Sequence, residues 1–328
     1  MYFIPNENLD PTLNLAMEQY ILSGLNLDEE ILFFFIDRPS IIVGRHQNTI
    51  DEINLDYVKA QDIQVVRRLS GGGSVYHDLG NLCFSFILPF PNQPVPDFSS
   101  FTEPVIRALR TMGVPAEKSG RNDILVEGAK ISGNAYYHNK FGTVCHGTLL
   151  FNTDLTVLAR ALNPKPEKLS AKGVQSVRSR VTNLNGYLPG IKTTVEFRER
   201  LLSEIARDAK TIELSDADLA NTEGIADERY RNPLWTFGTS PKYTLKRTRR
   251  FPIGEIELRI EVRDNIIRDV VFFGDFFTSQ EIDPIVDALR GSELETGALT
   301  AALRSIDWEA WFPTIQEEDF AAFVAQGD

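Results

Sequence analysis

The sequence contains few cysteines and histidines and no long apolar run. Its two cysteines, Cys83 and Cys145, are too few for a disulfide framework and are typical of a protein in a reducing cytoplasm. No stretch of about 18 uninterrupted apolar residues occurs, so we expect no membrane-spanning helix. The N-terminus lacks the basic and apolar segments of a secretory signal. The four histidines have no partners at the spacing of a zinc site, so the sequence predicts no metal cluster around them.

Basic residues are scarce relative to acidic ones. The 34 lysines and arginines against 46 aspartates and glutamates give a net charge of −12, which argues against a nucleic-acid-binding protein. An apolar fraction of 42% with 21 phenylalanines is enough for a hydrophobic core and excludes disorder as the main state. A length of 328 residues predicts two domains. Glycine, proline and basic residues cluster over 240–254, so we predict domains at 1–245 and 246–328.

The spacing of apolar residues predicts an α+β chain. A helical period predicts helices over 10–24, 103–112 and 194–210. Short apolar runs bounded by turn residues predict strands at 31–36, 40–44, 63–69, 82–88 and 143–151. A hairpin is predicted over 124–138, and a long polar loop over 163–190. The region after 254 predicts two strands followed by three short helices.

The strongest local motif is RRLSGGGSVYHD at 67–78, which follows a predicted strand. Three consecutive glycines let the backbone approach a ligand closely and turn its N–H groups towards an anion. Arg67 and Arg68 add positive charge, and arginine can hold a phosphate or carboxylate through two parallel hydrogen bonds. The motif is neither a P-loop nor a dinucleotide fingerprint. A plain glycine turn is the structural alternative, but the arginines and serines favour an anion or nucleotide site.

A second motif joins SGRND at 119–123 to GAKISGNA at 128–135. Lys130, between two glycines on a hairpin arm, can place a compact ammonium in a cleft and neutralise charge on a phosphoryl or carboxyl group. Asp123 is a candidate Mg²⁺ ligand, because this ion combines few carboxylates with substrate phosphates. Taken alone, a single lysine is more often a solvated surface residue.

Two other segments carry reactive or charged side chains. Cys145 and His146 are adjacent on a predicted strand, where successive side chains point to opposite faces, so a catalytic Cys–His pair is disfavoured. Cys83 lies in an apolar strand and is predicted to be a core residue. The loop at 168–183 carries four basic residues and no acidic one. It is either a solvated loop or a lid that closes over an anionic ligand, and the motifs together favour a phosphate-bearing ligand.

The same residues resemble the lipoate–protein ligase A family of the biotin/lipoyl ligase superfamily. The segments RRLSGGGSVYHDLGN, SGRND, GAKISGNA and HGTLLFN follow the motifs of that family in order and at similar spacing. KLSAKGVQSVRSRVTNL resembles its adenylate-binding loop, and PLWTFG at 233–238 resembles the segment that closes its large domain. The resemblance covers essentially the whole chain.

This resemblance implies a fold and a reaction. The fold is a biotin/lipoyl-ligase-like catalytic domain with a mixed, mostly antiparallel sheet, plus a small α+β accessory domain that moves between two half-reactions. In the reaction, ATP and lipoate form lipoyl-AMP and pyrophosphate with Mg²⁺, and a lysine of an acceptor protein then takes the lipoyl group. The implied acceptors are apo lipoyl domains of 2-oxoacid dehydrogenase E2 subunits and the glycine-cleavage H protein. A cytoplasmic monomer without nucleic-acid or membrane partners is also implied.

The family's motifs assign roles to individual positions. Lys130 matches the catalytic lysine, which would contact both the lipoate carboxyl and the α-phosphate. The implied ATP-binding residues are Arg68, Ser70, Gly73, Ser74, Val75, Tyr76, Lys130, Lys172, Gly173, Val174, Ser176 and Arg178. The implied lipoate-binding residues are Arg68, Gly71, Gly72, Lys130 and His146, and Asp123 is the implied Mg²⁺ ligand.

Two departures and two alternative functions complete this interpretation. Many relatives have histidine in place of Cys145 and some have tryptophan in place of Phe35, and both positions bear on acyl-chain preference. The nearest alternative is an ATP-independent transferase that moves octanoyl or lipoyl groups between carrier proteins; the C-terminal extension and the adenylate loop argue against it. The other alternative is a non-catalytic lipoate or adenylate sensor, against which Lys130 argues.

Overall fold

The computed structural model describes residues 1–92, 95, 97–120, 122–162, 181–238, 243–278 and 280–326. The chain divides into two compact units. The first consists of Met1–Val43, Thr49–Arg68 and Ser74–Thr236, and the second of Gly44–Asn48, Leu69–Gly73 and Phe237–Asp328. Two short stretches of the N-terminal half therefore cluster with the C-terminal region. The domain boundary between 245 and 246 stays a prediction.

The strands of the first unit form two sheets. In chain order they are β1 (Tyr2–Ile4), β2 (Ile31–Phe35), β3 (Ser40–Val43), β4 (Gln64–Arg67), β5 (Val75–His77), β6 (Asn81–Leu88), β7 (Ala116–Ser119), β8 (Asp123–Val126), β9 (Ala129–Asn139), β10 (Gly142–Leu150) and β11 (Lys210–Thr211). The larger sheet has eight strands in the order β11-β1-β2-β6-β10-β9-β8-β7. The smaller sheet has the order β4-β3-β5.

Most neighbours in the larger sheet are antiparallel. Strand β1 pairs in parallel with β2 and β11, whereas every other neighbouring pair of this sheet is antiparallel. In the smaller sheet, β3 is parallel to β4 and antiparallel to β5. The predicted α+β class with a mixed, mostly antiparallel sheet is confirmed.

The helices of this part of the chain include one with buried polar residues. Their bounds are α1 (Pro11–Ser23), α2 (Thr49–Glu52), α3 (Leu55–Ala60), α4 (Phe98–Thr111), α5 (Leu155–Ala161), α6 (Thr194–Ile205), α7 (Asp216–Ile225) and α8 (Pro233–Phe237), with a π-helical turn at Ala226–Tyr230 after α7. Helix α1 begins as predicted, because Asp10 Oδ1 accepts a hydrogen bond from the Thr12 amide at 2.9 Å. It packs against β6 and β10, and its Asn14 and Glu18 are buried despite being polar.

The hairpin of β8 and β9 contains a β-bulge next to Lys130. Its turn residues Glu127 and Gly128 both have positive φ, 51° and 80°, as a two-residue hairpin turn requires. The pairing then moves from Leu125 opposite Lys130 to Ile124 opposite Ser132. Ile131 is therefore an extra residue on β9, a β-bulge, and a bulge changes the direction in which a neighbouring side chain points.

The second unit is a three-stranded antiparallel sheet covered on one face by helices. Its elements are β12 (Leu245–Phe251), β13 (Gly254–Arg263), β14 (Ile266–Gly274), α9 (Asp283–Leu289), α10 (Thr296–Leu303) and α11 (Glu317–Gln326), with a 3₁₀ turn at Trp308–Ala310. The buried core includes Leu258, Phe272, Trp308 and Phe320. No helix within the described ranges is long and apolar enough to cross a bilayer.

The basic segment in which the sequence places the domain boundary contains a strand. Residues Leu245–Phe251 form β12, the edge strand of the second unit, paired along its length with β13. Lys246 forms an ion pair with Glu257 at 2.9 Å and Arg249 with Asp319 at 2.8 Å. The strand was not predicted from the sequence; its alternating partly buried and exposed residues fit a sheet edge, where charged side chains block further pairing.

Candidate active site

The bulge in β9 positions the ammonium group of Lys130. A Cβ atom built on Gly133 would lie 3.1 Å from Lys130 Nζ, so the lysine side chain extends over the face of β9 on which residue 133 projects. Lys130 Nζ also lies 2.8 Å from Asp123 Oδ1 on the neighbouring strand β8, and both side chains are about one-third exposed. The two residues that the sequence singled out, Lys130 and Asp123, are therefore brought together as an ion pair.

The backbone of Lys130 holds the end of the basic loop. Its carbonyl accepts a hydrogen bond from the Thr182 amide at 3.0 Å, and Lys130 forms a parallel bridge with Val181. The loop predicted to cover an adenylate thus ends beside the predicted catalytic lysine. The predicted ATP-binding residues of this loop lie outside the described residues; they are Lys172, Gly173, Val174, Ser176 and Arg178.

Two small residues and a tyrosine follow Lys130 along the same face of β9. Gly133, Ala135 and Tyr137 alternate with residues that point to the opposite face. Across the strand pair, His146 of β10 lies opposite Ala135, and Thr148 Oγ accepts a hydrogen bond from the Gly133 amide at 3.2 Å. We call these five residues the β9–β10 track. From Gly133 to Tyr137 the strand rises roughly 13 Å, enough for a medium-length acyl chain.

A buried acid lies against the track, and sequence reasoning missed it. Glu18 of α1 is 1% exposed, and both of its carboxylate oxygens lie 3.0 Å from His146 Nδ1. Ser85 of β6 donates a second hydrogen bond to Glu18 Oε1. The carboxylate accepts the Nδ1–H, so it fixes the tautomer and orientation of the His146 ring. The sequence feature that could have indicated this buried acid is its position among apolar residues on the inner face of α1.

Arg67 and Arg68 have different surroundings. Arg67 donates to Thr49 Oγ at 2.7 Å and to the carbonyls of Trp235 and Thr236 at 2.8 Å each. This arginine therefore ties the segment near 235 to the first unit. Arg68 is buried and donates to the Ile42 carbonyl at 3.0 Å. Burial lowers the pKa of Arg68 to about 10, and the nearby Glu18 carboxylate partly opposes this.

The glycine-rich motif is divided between the two units. Ser70, Gly71, Gly72 and Gly73 belong to the second unit, whereas Ser74, Val75 and Tyr76 belong to the first. A Cβ on Gly71 would lie 2.2 Å from the Phe276 carbonyl oxygen, so the close approach at Gly71 is to backbone of the second unit. Tyr76 packs in an apolar cluster with Ile41, and burial raises its pKa. The ligand roles of these seven residues stay predictions.

The structure also gathers three potential metal ligands that the sequence pattern did not connect. Asp37, His77 and Cys83 are buried, with ligand atoms within 4.8 Å of one another. Asp37 Oδ2 lies 2.7 Å from His77 Nδ1, and Asp37 Oδ1 accepts from Asn14 at 2.7 Å. The Cys83 sulfur is almost equidistant from both ring nitrogens, at 3.5 and 3.8 Å, so it faces neither nitrogen's lone pair. The arrangement is a hydrogen-bonded Asp–His pair that links segments of the core.

Cys145 has the properties of a core residue. It is fully buried, and burial raises the pKa of its thiol. It neighbours His146 on β10, so the two side chains point to opposite faces of the sheet, as predicted. Because the thiolate is the nucleophilic form, nothing at this position supports a cysteine mechanism.

Comparison with known proteins identifies the family. Residues 10–206 match the family described as the lipoyl protein ligase A/B catalytic domain, and residues 240–324 match the bacterial lipoate protein ligase C-terminus. The chain belongs to the lipoate–protein ligase family. The family that the motifs indicated is confirmed, since the first match includes the motif segments between 67 and 184 and the second includes the C-terminal region.

Individual relatives support the same assignment along the whole chain. Lipoate-protein ligase LplJ of Bacillus subtilis is 44% identical over 330 residues, which cover 99% of this chain and 100% of the relative. A solved lipoate-protein ligase A bound with ATP is 27% identical, with a TM-score of 0.61 over 72% of this chain and 98% of that one. A structure from Thermoplasma acidophilum, of a bi-partite lipoate protein ligase and its E2 lipoyl domain, is 28% identical, with a TM-score of 0.63 over 74% and 98% of the two chains. The predicted enzyme class, a lipoate–protein ligase, is confirmed.

Proposed function

We propose that this ligase activates lipoate with ATP beside Lys130 and then transfers the lipoyl group to an acceptor lysine. The observation that carries the proposal is the placement of the Lys130 ammonium over Gly133, at the start of the β9–β10 track. A cation at one end of a row of residues as long as an acyl chain is an arrangement that suits carboxylate activation.

In the first step, a carboxylate oxygen of lipoate attacks the α-phosphorus of ATP, and the bond to pyrophosphate breaks. Negative charge builds up on the α-phosphoryl oxygens, and the Lys130 ammonium stabilises it while it also holds the carboxylate. Asp123 keeps the ammonium over Gly133 until the substrate carboxylate takes its place. Arg68 and the glycine-rich motif at 70–76 contribute to ATP binding in this proposal, as does the loop that ends at Thr182.

The acyl chain lies along the β9–β10 track in this arrangement. Gly133 and Ala135 leave room for methylene groups, and His146, held by Glu18, lies beside the far part of the chain. This extends the predicted lipoate site, which contained His146 but neither Glu18 nor the small residues of β9. The roles of Gly71 and Gly72 at the lipoyl group stay predictions.

Mg²⁺ fits the donor set near Lys130. Asp123 supplies a partly exposed carboxylate, and Mg²⁺ typically combines one or two carboxylates with substrate phosphates. When bound, the ion would neutralise phosphate charge and favour departure of pyrophosphate. We propose Asp123 as its protein ligand, which requires one of the carboxylate oxygens to leave the ion pair with Lys130.

In the second step, the acceptor lysine attacks the acyl carbonyl of lipoyl-AMP, an amide forms, and AMP leaves. The T. acidophilum structure pairs a ligase of this family with an E2 lipoyl domain, and this supports lipoyl domains as acceptors here. We propose E2 lipoyl domains and the glycine-cleavage H protein as acceptors. A cytoplasmic location and a monomeric state stay predictions.

Pyrophosphate release from ATP and lipoate without an acceptor protein tests the first step. We expect the wild-type chain to release about one equivalent and stop, because the adenylate stays bound. Lys130→Ala removes the stabilising cation, so we expect its rate to fall by a factor of about 10² to 10³. Arg290→Ala, on a surface ion pair of the second unit, is the control for loss of a positive charge.

Each other outcome has a defined meaning. If only adding apo H protein produces pyrophosphate, the acceptor must bind first. If octanoyl or lipoyl groups move between carrier proteins with no pyrophosphate release, the ATP-independent transferase alternative is correct. If Lys130→Ala matches wild type, the proposed role of Lys130 is wrong.

A further inference from the structure

One buried hydroxyl group on the β9–β10 track has no hydrogen-bond partner. Tyr137 is 8% exposed, and within the described part of the chain its hydroxyl meets no donor or acceptor at bonding distance. The neighbouring polar group Glu18 is by contrast bonded to both Ser85 and His146. Buried hydroxyl groups almost always have a partner, so an unpaired one next to a proposed ligand site is available to bond to the ligand.

The strand geometry places this hydroxyl at the far end of the track. Tyr137 is four residues beyond Gly133 on the same face of β9, so it is distant from the Lys130 ammonium. Burial raises the pKa of the Tyr137 hydroxyl, and the charges of Tyr230 and Glu18 raise it further. The Tyr230 hydroxyl donates to Gln19 at 3.1 Å, so it is already engaged. The free donor on Tyr137 therefore faces the position of the acyl chain's end.

We propose that Tyr137 is a specificity-determining residue that recognises the end of the acyl chain. Its hydroxyl donates a hydrogen bond to a sulfur atom of the dithiolane ring of lipoate. Octanoate has the same number of carbons but offers no acceptor there, so the hydroxyl stays unpaired when octanoate binds. Thioether-like sulfur is a weak acceptor, so the preference for lipoate is modest. This inference rests on the acyl-chain placement proposed above.

The test compares lipoate with octanoate in wild type and Tyr137→Phe. The variant deletes only the hydroxyl. With apo H protein present so that the enzyme turns over, we expect its kcat/KM for pyrophosphate release with lipoate to fall about two- to tenfold, the range of one neutral hydrogen bond. With octanoate we expect no change. We also expect an unchanged or higher Tm, because the deleted group is unpaired in the free protein; a purely structural role would lower activity with both acids.

Tyr136→Phe is the matched control. Tyr136 precedes Tyr137 on β9 and points to the opposite face, where its ring lies 5.4 Å from that of Phe98. We expect its ratio of lipoate to octanoate activity to equal that of wild type. An unchanged ratio in Tyr137→Phe, or an equal shift in both variants, would overturn the inference alone. Wild type that releases no pyrophosphate with either acid, even with apo H protein present, would overturn the proposed adenylation, and this inference with it.

Discussion

Replacing Gly133 with alanine tests whether the position of the Lys130 ammonium controls the rate. The added methyl carbon would lie 3.1 Å from Lys130 Nζ and 3.2 Å from Cε, whereas ordinary contacts lie at 3.4–4 Å. Because a flexible side-chain end can move by the few tenths of an ångström that are needed, the fold is expected to tolerate the change. A displacement of about 1 Å at a reacting group can slow catalysis about 10²-fold, so we expect the rate constant for adenylation to fall about three- to tenfold.

Single-turnover pyrophosphate release at saturating ATP and lipoate measures this effect, and thermal unfolding measures stability. Gly224→Ala is the matched control, because a Cβ at Gly224 in α7 meets no atom within 4 Å. It should leave the rate unchanged and stabilise the helix by up to about 1 kcal/mol. Full activity in Gly133→Ala would refute the reasoning, since the ammonium would then tolerate displacement. A large fall in Tm would show that crowding affects the sheet instead.

Two further predictions concern buried groups of the first unit. Glu18→Gln leaves one acceptor oxygen for the two donors on Ser85 and His146. We therefore expect the free energy of unfolding, measured in urea, to fall by about 1–3 kcal/mol. The control is Glu199→Gln at an exposed position, for which we expect an unchanged free energy of unfolding. Burial raises the pKa of the thiols of Cys83 and Cys145. Iodoacetamide at pH 8 should therefore label both cysteines in urea and neither in the native protein. Rapid labelling of Cys145 in the native protein would instead support a nucleophilic thiol.

The parts of the fold with strong local patterns could be predicted from the sequence. Helix α1 has an N-cap and a proline at its start, and the β13–β14 turn at Asp264 and Asn265 has the positive φ values, 53° and 61°, expected of such residues. Short elements such as α2, β5 and β11 were missed, because a few residues carry too little periodicity. Strand β12 was missed because its basic residues resemble a linker until the acidic partners on β13 and α11 are known.

The candidate site could be predicted only where its residues are close in sequence. Lys130 and Asp123 are close in sequence and were both singled out, although their ion pair was not predicted. Glu18 and His146 are 128 positions apart, and Asp37 and His77 are 40 apart, so only the packing of α1 and the sheet brings each pair together. The hydrogen bonds of Arg67 to the segment at 235–236 could likewise not be predicted, because the two segments are far apart in sequence.

The bulge at Ile131 explains why the lysine's direction could not be read from alternation. In an unbroken strand, Lys130 would share a face with Ser132 and Asn134, away from the Gly133 track. The extra residue reverses that parity, and the ammonium comes to lie over Gly133. Inserting one residue between Ile124 and Leu125 would give Ile131 a partner on β8 and restore regular pairing, and Lys130 and Gly133 would then lie on opposite faces. The bulge at Ile131 and the glycine at 133 therefore act together: the bulge directs the Lys130 side chain to this face, and the absence of a side chain at Gly133 leaves space for the ammonium.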